Sequence, residues 1–186
     1  MTTFAVLNIA FLWLVVMFNT ILIFALVRKV NADQSNSFQS TVDQFLSPGE
    51  HAPEFTWETL SGNFIEKSDF DDSQLVLLFV SPTCGPCREL MPDLDKLIVG
   101  AQQSGTNLLP ISIGEKSSTE EIIQEFNVST DFALASYSDE AVLAYQVPGT
   151  PSYYVIDREG QITRGGFMDV EWRKLVASWK NTEQSH

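Results

Sequence analysis

Leu75-Val76-Leu77-Leu78-Phe79-Val80-Ser81-Pro82-Thr83-Cys84-Gly85-Pro86-Cys87 decides how the rest of the chain is read. Leu75 to Val80 is an unbroken apolar run without polar alternation, the pattern of a strand covered on both faces of a sheet. The chain's two cysteines come directly after it, three positions apart. From about Cys87 to Gln103, Leu90, Leu94, Leu97 and Ile98 recur at helical spacing, and Pro92 predicts a kink. Two cysteines at positions i and i+3 of a helix start are neighbours, within the roughly 4.4–6.8 Å between Cα atoms that a disulfide needs.

At such a start, Cys84 meets unpaired backbone N–H groups and the positive end of the helix dipole, which favour its thiolate. Cys84 is therefore the expected nucleophile, forming a mixed disulfide that Cys87, one turn inward, resolves. Gly85 lets a partner's backbone approach, and Pro86 fixes φ in the first turn without wasting a donor. Arg88, four residues after Cys84 and on roughly the same face, is a candidate to hold the thiolate, and equally an ordinary solvated charge. No metal and no cofactor is implied, since a zinc site would need a second pair of ligands and no further cysteine exists. A disulfide-stapled scaffold is excluded on the same count.

Elements of both types alternate around this centre. Phe55-Thr56-Trp57 and Asn63-Phe64-Ile65 flank a Ser61-Gly62-Asn63 turn and read as a short hairpin. Leu108 to Ile113 is a second buried strand, and Ser118-Thr119-Glu120-Glu121 reads as a capping box opening a helix that runs to about Phe126. Phe132 to Tyr137 is a candidate strand, with a helix from Asp139 to Tyr145 after it. Ser152 to Ile156 and Gln161 to Phe167 are strands around an Asp157-Arg158-Glu159-Gly160 turn, before a closing helix from Val170 to about Lys180. The order predicts an α/β domain, one sheet flanked by helices, over residues 51–182.

The N-terminus is different in kind. Residues 4–27 are about 24 consecutive uncharged and mostly apolar positions, which as a helix rising ~1.5 Å per residue cover the ~30 Å core of a bilayer. They predict a transmembrane anchor contacting lipid. A cleaved signal peptide is the alternative, with Val30-Asn31-Ala32 a faint cleavage site, but the run is too long and lacks a basic leader. Arg28 and Lys29 after the span, taken alone, place the α/β domain in the cytoplasm. Residues 31–50 are polar and read as a linker, with His51 just beyond it a solvated residue rather than a ligand. Beyond Asn31 lie nine basic and 24 acidic residues, a net charge of −15 for that portion. Such a charge repels phosphate backbones, so nucleic acid is not an expected partner.

A second motif, Val147-Pro148-Gly149-Thr150-Pro151-Ser152-Tyr153, stands just before a strand. With the Cys-Gly-Pro-Cys motif it resembles the thioredoxin superfamily, which implies a thioredoxin fold: a central mixed sheet flanked by helices, here with an N-terminal hairpin extension. In that family the bond matching Thr150-Pro151 is cis and lies against the cysteines, where Thr150 and Pro151 with Gly85 and Pro86 bind an extended substrate segment. Ser81 to Cys87, the hairpin, the anchor and Val147 to Gly160 resemble the TlpA/ResA-like branch, and within it the methylamine-utilisation accessory (MauD-like) type.

The resemblance implies a bacterial inner-membrane protein whose catalytic domain faces away from the cytoplasm, against the weak charge signal. Its partners would be cysteine-containing exported proteins and a membrane or soluble thiol donor or acceptor. Three positions depart from relatives. Leu90 stands where cytochrome-maturation members carry glutamate, Leu78 where thioredoxin has a buried aspartate, and Thr83 where a tryptophan is usual. The Gly-Pro dipeptide matches thioredoxin and favours a reductant over an oxidase or isomerase. A thiol peroxidase would want Ser or Thr at position 81 and Pro at position 77; Ser81 fits and Leu77 does not. A tethered chaperone using the Thr150-Pro151 face without thiol chemistry is a further class.

Overall fold

The computed structural model describes residues 13–24 and 45–182, which fall in two compact units, Met1–Asp43 and Gln44–His186. In the first, residues 13–24 are helical (α1). Asn19 Nδ2 donates to the Val15 carbonyl at 3.2 Å and Thr20 Oγ1 to the Val16 carbonyl at 2.8 Å, so both polar side chains bond the preceding turn of their own helix. Among the described residues no helix is long and apolar enough to cross a membrane. The remainder of the expected span, 4–12 and 25–27, and the expected linker over 31–44 lie outside the described residues.

In the second unit a five-stranded sheet has the order β5-β4-β3-β6-β7. Its strands are β3 (Gln74–Val80), β4 (Thr106–Ile113), β5 (Ala133–Ala135), β6 (Ser152–Ile156) and β7 (Ile162–Phe167). β3 runs parallel to β4 and antiparallel to β6, placing Leu77 between Leu109 and Tyr154. β1 (Thr56–Glu58) and β2 (Phe64–Glu66) form the separate hairpin, turning through Gly62 at φ +84°. The apolar run is buried on both sides as its pattern requires. Leu75, Leu77 and Phe79 enter one core with Trp57, Tyr145 and Tyr154. Val76, Leu78 and Val80 enter the other with Cys87, Leu94 and Trp172.

The helix after the cysteines is broken where Pro92 lacks a donor: α2 (Gly85–Leu90), a 3₁₀ turn (Met91–Asp93), then α3 (Leu94–Gln103). α4 (Lys116–Phe126), α5 (Glu140–Ala144) and α6 (Val170–Thr182) complete the layers. The expected start of α4 is corrected. It begins at Lys116, Ser118 to Glu121 lie inside it, and Thr119 is buried. Its hydroxyl bonds Ser112 Oγ at 2.7 Å and donates to the Glu115 carbonyl at 3.0 Å, and the residue before the helix is Glu115, whose side chain caps nothing. Asp139 does cap α5, accepting from Ala141 N–H at 2.9 Å. β5 is shorter than Phe132 to Tyr137, since Ser136 and Tyr137 are exposed.

The stretch read as linker also ends earlier than residue 50. Phe45 and Leu46 are buried, and Phe45 meets the rings of Tyr154 and Phe167 edge-on at 5.7 and 5.2 Å. Leu46 N–H donates to Tyr154 Oη at 3.1 Å, and that hydroxyl donates to the Tyr145 carbonyl at 2.6 Å. Gly49 N–H reaches the Ile162 carbonyl at 2.7 Å, Ile162 N–H the Glu50 carbonyl at 2.8 Å, and His51, exposed, bridges to Gln161. Two apolar residues in a polar run suffice to dock it once backbone partners are at hand. Phe45→Ala should therefore lower stability by about 3 kcal/mol, read from urea unfolding. An unchanged midpoint would mean that residues 45–50 are not held in solution.

Candidate functional site

Cys84 is the residue before the first turn of α2, in extended conformation, with its own N–H donating to the Ser81 carbonyl at 3.1 Å. That turn is fixed from behind, where Pro82 is buried and its ring packs beside Gly114. A Cβ on Gly114 would come within 3.1 Å of Pro82 Cδ, so any larger residue would have to push the Pro82 ring by a few tenths of an ångström away from the end of β4. The Cys84 sulfur accepts from the Cys87 N–H at 3.4 Å and donates to the Thr150 carbonyl at 3.3 Å. The Thr150-Pro151 bond is cis. Cys84, Cys87, Thr150 and Pro151, from two distant parts of the sequence, are thus gathered at one place, with Gly85 and Pro86 exposed beside them.

The two thiols differ in surroundings. Cys84 is half-buried and reachable, whereas Cys87 has no exposed surface and sits among Leu78, Leu94 and Met91. Burial pushes the Cys87 thiol up to about 12, and its hydrogen bond with Cys84 adds to the rise. Hydrogen bonds from the Ser81 backbone and the Thr150 side chain act in the opposite direction and are outweighed. Leu78 and Leu90, which stand where the resemblance would place acidic residues, both belong to the apolar packing around it.

Arg88 is engaged elsewhere than at the thiolate. Its Nη2 donates to both carboxylate oxygens of Glu125 at 2.6 Å, its Nη1 to the Pro82 carbonyl at 3.5 Å, and its guanidinium lies over the Phe126 ring at 5.5 Å. It joins the turn before Cys84 to the end of α4, a positioning contact. Beside the cysteines runs a groove of about 410 Å³, lined by Pro86, Glu89, Leu90, Pro151, Phe167 and Met168. Phe167 and Met168 had no distinguishing signal in the sequence, since their place depends on β7 ending level with the loop before β6, where Phe167 pairs with Ser152. Glu125 had none either, lying 37 residues from Arg88. Among the described residues no cluster of three or more His, Cys, Asp or Glu stands ready for a metal.

A family model described as the AhpC/TSA family matches residues 48–164. Among curated relatives, the chain is similar to the thiol-disulfide oxidoreductase ResA of Geobacillus kaustophilus, 27% identical over 63% of this chain and 67% of that protein. It is similar also to the protein of that name from Geobacillus thermodenitrificans, 26% identical over 64% of this chain and 68% of that one. Among solved structures it is similar to the thioredoxin domain of a thiol-disulfide oxidoreductase from Bacteroides vulgatus, with a TM-score of 0.62 and 23% identity over 72% of this chain and 98% of that domain. At that identity the likeness establishes the fold, which is thioredoxin-like α/β with a mixed sheet and flanking helices.

The buried thiol gives a pH signature. In a Cys84→Ser variant, Cys87 keeps its apolar surroundings, so its proton is held far above the ordinary 9.0. Its thiolate content, and with it the rate of alkylation by iodoacetamide, should climb roughly tenfold per pH unit from pH 7 and show no plateau by about pH 10. A plateau at or below pH 9 would contradict the assigned burial.

Proposed function

The chain belongs to the AhpC/TSA family, and from that premise we propose that it is a thiol-disulfide oxidoreductase acting on cysteine-containing proteins through Cys84 and Cys87. One observation carries this reading: a reachable sulfur at a helix start, hydrogen-bonded by the Cys87 N–H, with a second thiol wholly buried one turn away. The names of the curated relatives support it.

The Cys84 thiolate attacks one sulfur of a partner's disulfide, forming a Cys84–partner bond and releasing the other sulfur as thiolate. Cys87 then loses its proton and attacks Cys84, closing the Cys84–Cys87 bond and freeing the partner's second thiolate. Two electrons pass to the partner, and a thiol donor reopens the pair. Run backwards, the same steps oxidise a dithiol. The Gly85-Pro86 dipeptide favours the reducing direction; disulfide formation or isomerisation during maturation of an exported enzyme, as the MauD-like resemblance implies, is the second direction. Thr150, Pro151, Gly85 and Pro86 receive the partner's segment in an extended form.

The uncharged run at 4–27 would anchor the domain to the bacterial inner membrane through lipid contact, with residues 31–44 as a tether and the domain outside the cytoplasm. A peroxidase is disfavoured by Leu77, fully buried in the middle of β3 where a proline would be wanted.

The test is a Cys87→Ser variant expressed in cells. It should accumulate mixed disulfides through Cys84 that reductant releases, and Cys84→Ser with Cys87→Ser should accumulate none. Unchanged cellular function of that double variant would replace exchange by a chaperone role. Membrane-impermeant maleimide should label Cys84 in intact cells; labelling only after lysis would put the domain in the cytoplasm. Hydrogen peroxide consumption by the purified chain should not exceed that of the double variant.

A further inference from the structure

The side chains lining the groove beside the cysteines are apolar apart from one. Pro86, Glu89 and Leu90 stand at i, i+3 and i+4 of α2 and form one wall, while Pro151, Phe167 and Met168 form the other. Glu89 is exposed and, among the described residues, makes no ion pair or hydrogen bond. Three charged groups on adjoining segments have partners of their own. Arg88 is held by Glu125, Lys96 by Asp93 at 2.9 Å, and Asp169 accepts from the Glu171 and Trp172 N–H groups at the start of α6. Arg173 lies beyond Leu90, in the adjoining groove between α3 and α6.

We propose that Glu89 selects, for exchange at Cys84, a protein segment carrying Lys or Arg two or three residues from its reactive cysteine, with an apolar side chain between them seated on Phe167 and Met168. This rests on the exchange reading above and names its substrate class. The spacing comes from geometry. Glu89 is five positions beyond Cys84, about 7.5 Å along a helix rising ~1.5 Å per residue and somewhat over a third of a turn around it, a separation that an extended segment covers in two or three residues at ~3.3 Å each. A basic side chain placed there meets a carboxylate whose water the apolar walls partly displace. An acidic one puts two like charges together, so the site discriminates by repulsion as well as attraction.

The reacting bond is tested directly with the reduced full-length chain and three peptides. Each has a single cysteine as the mixed disulfide with thionitrobenzoate, a neighbouring leucine, and Lys, Gln or Glu three residues from the cysteine. Attack by Cys84 on the peptide sulfur forms a Cys84–peptide disulfide and expels coloured thionitrobenzoate, with no net oxidation. The Lys peptide should react about fivefold to tenfold faster than the Glu peptide at low salt, as befits one exposed charge contact of each sign.

Glu89→Gln should remove most of that preference and leave the Gln peptide within about twofold of its original rate. Glu120→Gln, an exposed carboxylate on α4 outside the groove, should leave the preference intact, although it alters the net charge of −13 by the same amount. The proposal is overturned if Glu89→Gln keeps the full preference, or if Glu120→Gln loses as much, which would assign the effect to the overall field. If no peptide reacts faster than with Cys84→Ser, the exchange reading itself fails, and this selectivity with it.

Discussion

Strand β3 is hydrogen-bonded along both edges and buried on both faces, and the other elements take their positions from it. Leu75 to Val80 have at most 2% of their surface exposed, and each such side chain contributes roughly 1.5–3 kcal/mol when fully buried. Because alternate residues serve different cores, a slip of one position would set Phe79 where Leu78 packs and draw Gln74 or Ser81 into a buried place, so both cores would be misfilled at once. The register with β4 and β6 is fixed by that penalty. It also fixes where the strand ends, and therefore where the turn through Pro82 launches α2.

The chemistry derives from that launch point. A helix beginning at the edge of a two-sided core has its first residue at the surface and its fourth inside. The same backbone segment thus delivers one sulfur to solvent and the other to the company of Leu78 and Met91. The difference between the cysteines is one of dielectric surroundings, and it comes from the fold rather than from a neighbouring acid or base. Holding the turn still is a separate matter, served by the closeness of Gly114 to Pro82 and by the reach of Arg88 to Glu125.

Much of this was legible in the residues because the signals were local. The continuous run at 75–80 stated its own two-sided burial, Pro92 broke the helix around it where a missing N–H requires it, and the turns at Gly62 and Gly160 adopt the positive φ that glycine permits. What escaped depended on partners distant in sequence. Thr119 looked like part of a helix start until Ser112 supplied a buried hydroxyl for it. Phe45 and Leu46 looked like tether until Tyr154 and Ile162 offered bonds and rings. The groove walls required the end of β7 to meet the loop before β6, and no periodicity in either segment announces that meeting.

The docking of residues 45–52 has a mechanical consequence. Their backbone bonds are to Gly160 and Ile162, at the start of β7, whereas Phe167 at the other end of that strand borders the reactive groove. Five residues of strand separate these points, about 17 Å at ~3.3 Å per residue. A pull arriving along the chain from its N-terminal side is thus taken up at both ends of β7, by the backbone bonds to Gly160 and Ile162 at one end and by the Phe45 ring against Phe167 at the other. The one aromatic ring that closes the groove wall is therefore also the point where the incoming chain rests, so tension on residues 45–52 reaches Phe167 directly.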